Sequence, residues 1–423
     1  MRFFGKFLSE PSMLSRFIDA ITGASSGFCV VSPPESHAIE GPLAQTSLPN
    51  ITQRSHNRWG LVDWYPQGLR DDTSFEKRCS QPLPSKPLLL ELVKEYLSTF
   101  NQALPIFDQT NLMKLVDRQF SWNPNSSPSW WAVLNMVLAF AYRNRAEKFS
   151  DGEDNWRSCI GHVKNAMSVT AELFMRTCDL LAVQAMICLA WFFQGTPNPQ
   201  PLFAFTATAI RFSQSIGLHR SKSFGLPKAQ VEERQRVFWI AFILDADVCL
   251  RTGRPATQDI RDFDVPLPPN YPSDSLGMIE CCGVKVNFLA ILAKFALVQR
   301  RVYDSLYTTD ALESPLPERV AEAEQCLLEL DRWKDGIPDS LRPQRNFLAQ
   351  PGPFLPHILR LHFAGYCCYL SIYRVCLLSR QPRRSELTAK LLEVARLALD
   401  LVKYIDDERF GQSFDWYVFI LVL

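Results

Sequence analysis

Few side chains in this sequence stand at spacings that catalysis or metal binding uses. Ser25 lies in Gly23-Ala24-Ser25-Ser26-Gly27, the Gly-x-Ser-x-Gly pattern in which a strand-to-helix turn exposes a nucleophilic hydroxyl. That device needs a sheet to present a downstream acid and histidine. Here Phe28-Cys29-Val30-Val31-Ser32-Pro33-Pro34-Glu35 follows and the rest reads as helix, so a Ser/Gly turn is expected instead. His357 and His362 are five positions apart, which on a helix turns the imidazoles about 140° away from each other, whereas two ligands of one metal sit four apart. Both are read as core or surface histidines. Among the twelve cysteines no pair has Cys-x-x-Cys spacing, and the adjacent pairs Cys281/Cys282 and Cys367/Cys368 point about 100° apart on a helix, which suits zinc poorly. No glycine-rich phosphate loop or dinucleotide turn is present.

Two charged clusters remain. Asp406-Asp407-Glu408 resembles the aspartate-rich motif of magnesium-dependent terpene synthases, but its fifth position is Phe410 rather than an acid. The second motif of those enzymes is missing as well, because the segment from Asn155 ends in His162. The acidic trio is therefore read as a solvated helix end. Arg380-Gln381-Pro382-Arg383-Arg384-Ser385 has no aromatic interleaving and is read as an exposed loop between two helices. No catalytic, cofactor-binding or metal-binding residue is assigned.

The elements that would position any site are helical. Residues 1–85 carry Pro, Ser, Gly and Asn clusters between weak apolar patches and are read as a poorly ordered segment, largely loop or linker. From Ser85 the pattern changes to helical spacing, and further helices are expected at 127–147, 154–174, 180–194, 201–217, 232–252, 284–306, 317–336, 358–378 and 386–405. No run of alternating strands bounded by hairpin turns is evident, so residues 86–423 are assigned to one all-α, multi-helix domain of antiparallel packed helices. With 47% hydrophobic residues it can bury a sizeable core. Lys+Arg 45 against Asp+Glu 44 leaves a net charge of +1, so no global field draws the chain to nucleic acid or an anionic membrane. The opening Met1-Arg2-Phe3-Phe4 lacks the apolar core of a secretory signal, and the cysteines sit in apolar stretches, so they are read as reduced intracellular thiols.

One charged residue needs an explanation. Eight apolar residues, Val237 to Leu244, are too few to span a bilayer, which takes about 20. Asp245 follows on the face of Phe238 and Phe242, so it projects close to the buried side and must meet a cation or several N–H donors. Arg254, returned by the Thr252-Gly253 turn, and Arg211 are the candidate cations. Gly253 permits a left-handed helix stop and Pro255 prevents resumption.

These residues also carry a resemblance. Ala209-x-Arg211 leads to Gly217-Leu218-His219-Arg220; Glu233, Arg234 and Arg236 precede Phe238-Trp239; Asp245, Gly253-Arg254-Pro255, Asp262, Asp264 and Leu267-Pro268 follow in order. The set resembles the fungal-specific transcription factor domain, the middle homology region of zinc-cluster transcription factors, strongly from Ser85 to Pro269 and by class beyond. Gln235 and Ala246 depart from it. Such members usually carry six cysteines binding two zinc ions ahead of this region, but only Cys29 and Cys79 precede Ser85 here. The resemblance implies a nuclear transcriptional regulator without its own DNA-binding module, acting on a metabolic or secondary-metabolite gene cluster and performing no covalent chemistry. Arg211, Gly217, His219, Arg236, Trp239, Asp245, Gly253, Arg254 and Pro255 are its signature positions, with structural roles. A protein partner, which could be a DNA-binding regulator, is expected, with room for a homodimer, no membrane association and no sequence-specific DNA binding by this chain alone. The alternative is an interaction protein that titrates a full-length regulator; an α-helical metal-dependent enzyme ranks last. Because the sequence ends within the apolar run Phe414 to Leu423, truncation at the C-terminus is expected.

Overall fold

Pro87 in the first turn starts helix α1 (Lys86–Ser98), whose carbonyl ladder begins at Ser85, although the Ser85 hydroxyl makes no capping bond. The computed structural model describes residues 80–401 apart from 149–151, 177, 195–198, 282, 344–351 and 379–383. The expectations for residues 1–79, Ser25, the loop 379–383, the acidic trio at 406–408 and the C-terminal apolar run lie outside the described residues.

Helices follow in sequence: α2 (Phe100–Ala103), α3 (Gln109–Gln119), α4 (Pro128–Lys148), α5 (Gly152–Met167), α6 (Thr170–Met175), α7 (Leu180–Phe193), α8 (Pro199–Ser215) and α9 (Lys228–Thr252). After a hairpin come α10 (Phe288–Leu306), α11 (Thr309–Glu313), α12 (Leu316–Asp335), α13 (Leu355–Cys376) and α14 (Arg384–Asp400). The chain is all-α in class, as the sequence periodicity predicts. Short polar side chains start several helices by accepting an otherwise unmet N–H: Asp108 from Asn111 at α3, Asp179 from Ala182 at α7 and Asn287 from Ala290 at α10.

Three details differ from the sequence reading. The span 154–174 is broken at Ser168-Val169, where the Ser168 hydroxyl donates to the Asn165 carbonyl (2.7 Å) and competes with the helix ladder. Helix α3 gives no clear periodic signal in the sequence, because its few apolar residues are diluted by polar ones and only Leu112 and Val116 are buried. Val284 to Asn287, expected as helix, forms β2 (Val284–Asn287), paired antiparallel with β1 (Met278–Cys281) in the register Met278 to Asn287 and Cys281 to Val284. β-branched Val284 and Val286 and a left-handed Gly283 (φ 77°) favour this hairpin, and α10 begins only at Phe288.

The core forms where α7, α9 and α13 meet their neighbours. Ala182 to Phe192 of α7 are all buried, as are Arg236 to Arg251 of α9 and His357 to Leu370 of α13. Helices buried on every face cannot lie at a surface, so these three form the centre. Phe100, Phe140, Tyr96 and Trp191 interlock above it, with Phe100 and Phe140 stacked at 4.3 Å. No helix among the described residues is long and apolar enough to cross a membrane.

Candidate functional site

Helix α9 carries two polar systems, one facing its flanking loops and one facing the interior. On the loop side, Glu233 accepts the Asp108 N–H (3.0 Å) and the Gln184 side-chain amide (3.2 Å), binding the turn before α3 to α7 and α9. Arg236 pairs with Asp274 at 2.7 Å, and the Trp239 indole donates to the Pro266 carbonyl at 2.7 Å. Arg234 donates to the Ile216 carbonyl at the end of α8, and the His219 carbonyl accepts from Asp264 N–H (3.2 Å). Gly217 (φ 75°) and Gly253 (φ 66°) adopt the left-handed conformation at the two turns, and Gly253 closes α9 by donating to the Cys249 carbonyl.

Asp245 is buried and meets N–H donors rather than a cation. Its carboxylate accepts from Thr257 N–H (3.0 and 3.1 Å) and from Gln258 N–H (3.0 Å), so it fastens the chain that returns after Gly253. Burial raises its pKa; the two backbone bonds and the nearby Arg300 charge oppose that rise. The expected cationic partners are corrected by the geometry. Arg254 lies over the Phe203 ring at 4.8 Å, and Arg211 is exposed and bonds Gln214 (3.0 Å). Returning backbone wins because the Gly253 turn already holds Thr257 and Gln258 N–H within reach. Asp245→Ala is expected to strand both N–H groups and lower stability by about 2–3 kcal/mol, and Asp245→Asn, which keeps an acceptor, by about 1 kcal/mol. Urea melts of both variants check this; equal losses would mean that the N–H bonds carry nothing.

On the interior side, Asp247 sits among α7, α9, α10 and α13. It pairs with Arg251 one turn on (2.7 Å) and accepts the amide N–H groups of Gln194 (3.1 Å) and Gln299 (3.2 Å). Beside this group is a cavity lined by Trp191, Gln194, Ile243, Asp247, Phe288, Leu292, Phe295, Gln299, His357, Arg360, Leu361 and Ala364, with about 30 Å³ open to water centres. Burial, with the positive charges of Arg360 and Arg143 beside it, holds the His357 pKa down at about 3, so the imidazole is neutral.

The structure brings Gly217, His219, Arg236, Trp239, Asp245, Gly253 and Arg254 into the loops and faces around α9, with Pro255 leading the returning segment. His357 and His362 are both buried on α13. His362 Nε2–H donates to the Leu341 carbonyl (2.8 Å), while His357 packs against Phe100 and Phe288. Asp247, Gln194, Gln299 and Arg360 carry no shared sequence signal, because they are single polar residues on or just past the end of four separate helices. The one legible signal was a second aspartate two positions after Asp245. Among the described residues no group of three or more His, Cys, Asp or Glu could hold a metal ion.

The polar groups around α9 staple its flanking loops to the centre of an all-α body. The family model for the fungal specific transcription factor domain matches residues 93–335, and the chain belongs to this family of transcriptional regulators. The match spans α9 and the interior aspartate and ends before α13. An ABC-transporter-regulating transcription factor of Aspergillus oryzae is 37% identical over 408 residues, covering 90% of this chain and 45% of that protein. The protein of the same name from Aspergillus fumigatus is 37% identical over 414 residues, covering 92% and 46%. The Fusaridione A cluster transcription factor of Fusarium heterosporum is 35% identical over 308 residues, covering 70% and 56%. The chain thus spans about half the length of the curated relatives it matches.

Proposed function

We propose that this chain is the regulatory body of a nuclear transcriptional regulator controlling a metabolic, transport or secondary-metabolite gene set, and that it works by protein contact rather than by covalent chemistry. The observation that carries the reading is the family match over 93–335, joined to a sequence in which only Cys29 and Cys79 precede Ser85. Two thiols cannot build a two-zinc cluster, so DNA reading has to come from a segment or partner outside these residues. The relatives' printed roles in transporter and cluster regulation support the gene set, and the near-neutral charge supports the lack of intrinsic DNA affinity.

Two measurements test it. In a mobility-shift assay at physiological salt the purified chain is expected to form no sequence-selective complex with random duplexes, because specific readout needs base-edge contacts added to phosphate contacts. Fused to an unrelated DNA-binding module, the same chain is expected to change reporter output at that module's site. A sequence-selective complex formed by the chain alone would sink the first half. A fusion that leaves the reporter unchanged while the free chain lowers a full-length regulator's output would favour the titrating protein.

A further inference from the structure

The cavity beside Asp247 has unmet hydrogen-bonding capacity. Three residues on its wall are buried and carry polar atoms with no hydrogen-bond partner: Trp191 Nε1, Gln194 Oε1 and His357 Nδ1. Buried polar atoms are rarely left unpaired, and three around one void point to an occupant. The orientation of Gln194 follows from its neighbour. A carboxylate can only accept, so Asp247 draws the Gln194 NH₂ group toward itself and leaves Oε1 as the open acceptor. An indole N–H can only donate. The occupant must therefore offer both an acceptor and a donor, and its remaining surface meets Ile243, Phe288, Leu292 and Phe295.

Charge and size narrow the class. The Asp247 carboxylate is already neutralised by Arg251 and bonded by two amides, and His357 is buried at 6% exposure. An anion would face the Asp247 carboxylate and a cation the Arg360 guanidinium, both on the wall, so a net charge of either sign meets a like charge on top of its desolvation cost. About 30 Å³ open to water centres suits about two waters or an organic molecule of about four non-hydrogen atoms. We propose that this cavity is a binding site for a small uncharged polar organic molecule, a short amide or alcohol, held between Trp191, Gln194 and His357. Its walls come from α7, α9, α10 and α13, so occupancy links α13 to the family-matched body. The link gives meaning to the regulatory reading, but binding itself is measured without any reporter.

The test uses the full chain labelled with 5-fluorotryptophan, with the Trp191 fluorine resonance identified by its loss in Trp191→Phe. Acetamide, ethanol and acetate are titrated in turn. Acetamide or ethanol is expected to shift the Trp191 resonance saturably, with Gln194→Leu weakening the affinity about tenfold. Ala364→Val, which fills the void with a small apolar group and spares every polar partner, is expected to abolish the shift while the other tryptophan resonances keep their folded dispersion. Absence of a saturable shift with both uncharged probes would mean that water alone fills the cavity and would overturn the proposal. So would tighter binding of acetate than of acetamide, through Arg360 on the wall, or a shift that survives in Ala364→Val.

Discussion

Asp247→Ala is expected to destabilise the domain by about 3–5 kcal/mol, the penalty for removing one partner of a buried ion pair. The change leaves the Arg251 guanidinium, whose side chain is 1% exposed, without its carboxylate, and it strands the inward amides of Gln194 and Gln299. A native domain holds only about 5–15 kcal/mol in all, so the variant should melt far below the parent. Asp247→Leu combined with Arg251→Met is expected to recover the part of the loss that comes from the guanidinium left without its carboxylate, while the Gln194 and Gln299 amides still lack their acceptor. Urea denaturation of the parent, the single and the double variant decides it. A single-variant loss under about 1 kcal/mol, the range of an exposed pair, would show that Asp247 is solvated in solution.

Acid should unfold the domain well above the carboxylate range. Burial holds His162 and His362 near pKa 4 and, with Arg360 and Arg143 adding to it, His357 near 3, against an ordinary 6.5. Each imidazole is therefore neutral in the fold, while the unfolded chain takes up its proton as pH falls through about 6.5. More protons on the unfolded state means stability rises with pH across that window, so it is fully present above 6.5 and is lost progressively toward 4 and 3. One histidine moved from 6.5 to about 4 corresponds to about 3 kcal/mol by the bottom of the window. The raised carboxyls of Asp245 and Asp304 act in the opposite sense, since protonation favours their folded forms. His162 shows the cause plainly: its Nδ1 must donate to Asn135 Oδ1 (2.8 Å), which also accepts from Asn165, and Nε2 is buried without a partner. Urea melts at pH 7, 6 and 5 are expected to show a steep fall in stability, with a shallower slope in His162→Gln. Equal stability at pH 7 and 5 would refute the buried neutral imidazoles.

Much of this is legible in the sequence alone. Helical periodicity from Ser85 onward determined the all-α class, because apolar residues at spacings of three and four can share a face only on a helix. The ordered string from Ala209 to Pro268 identified the family that the match over 93–335 shows. Gly253 and Pro255 marked the end of α9, since left-handed backbone there favours glycine and proline cannot resume the ladder. Even the need of Asp245 for a partner followed from burial alone. The identity of that partner did not: a carboxylate is satisfied equally by a guanidinium or by two amides, and only the path of residues 254 to 258 placed Thr257 and Gln258 N–H within 3.1 Å. The hairpin at 278–287 stayed hidden because four-residue strands are too short for periodicity to separate from a helix start. The interior site was illegible for a stronger reason. Trp191, Asp247, Gln299 and His357 are spread across more than 160 positions of sequence, and no local pattern encodes which faces of α7, α9, α10 and α13 meet; side-chain packing among helices buried on every face decides that.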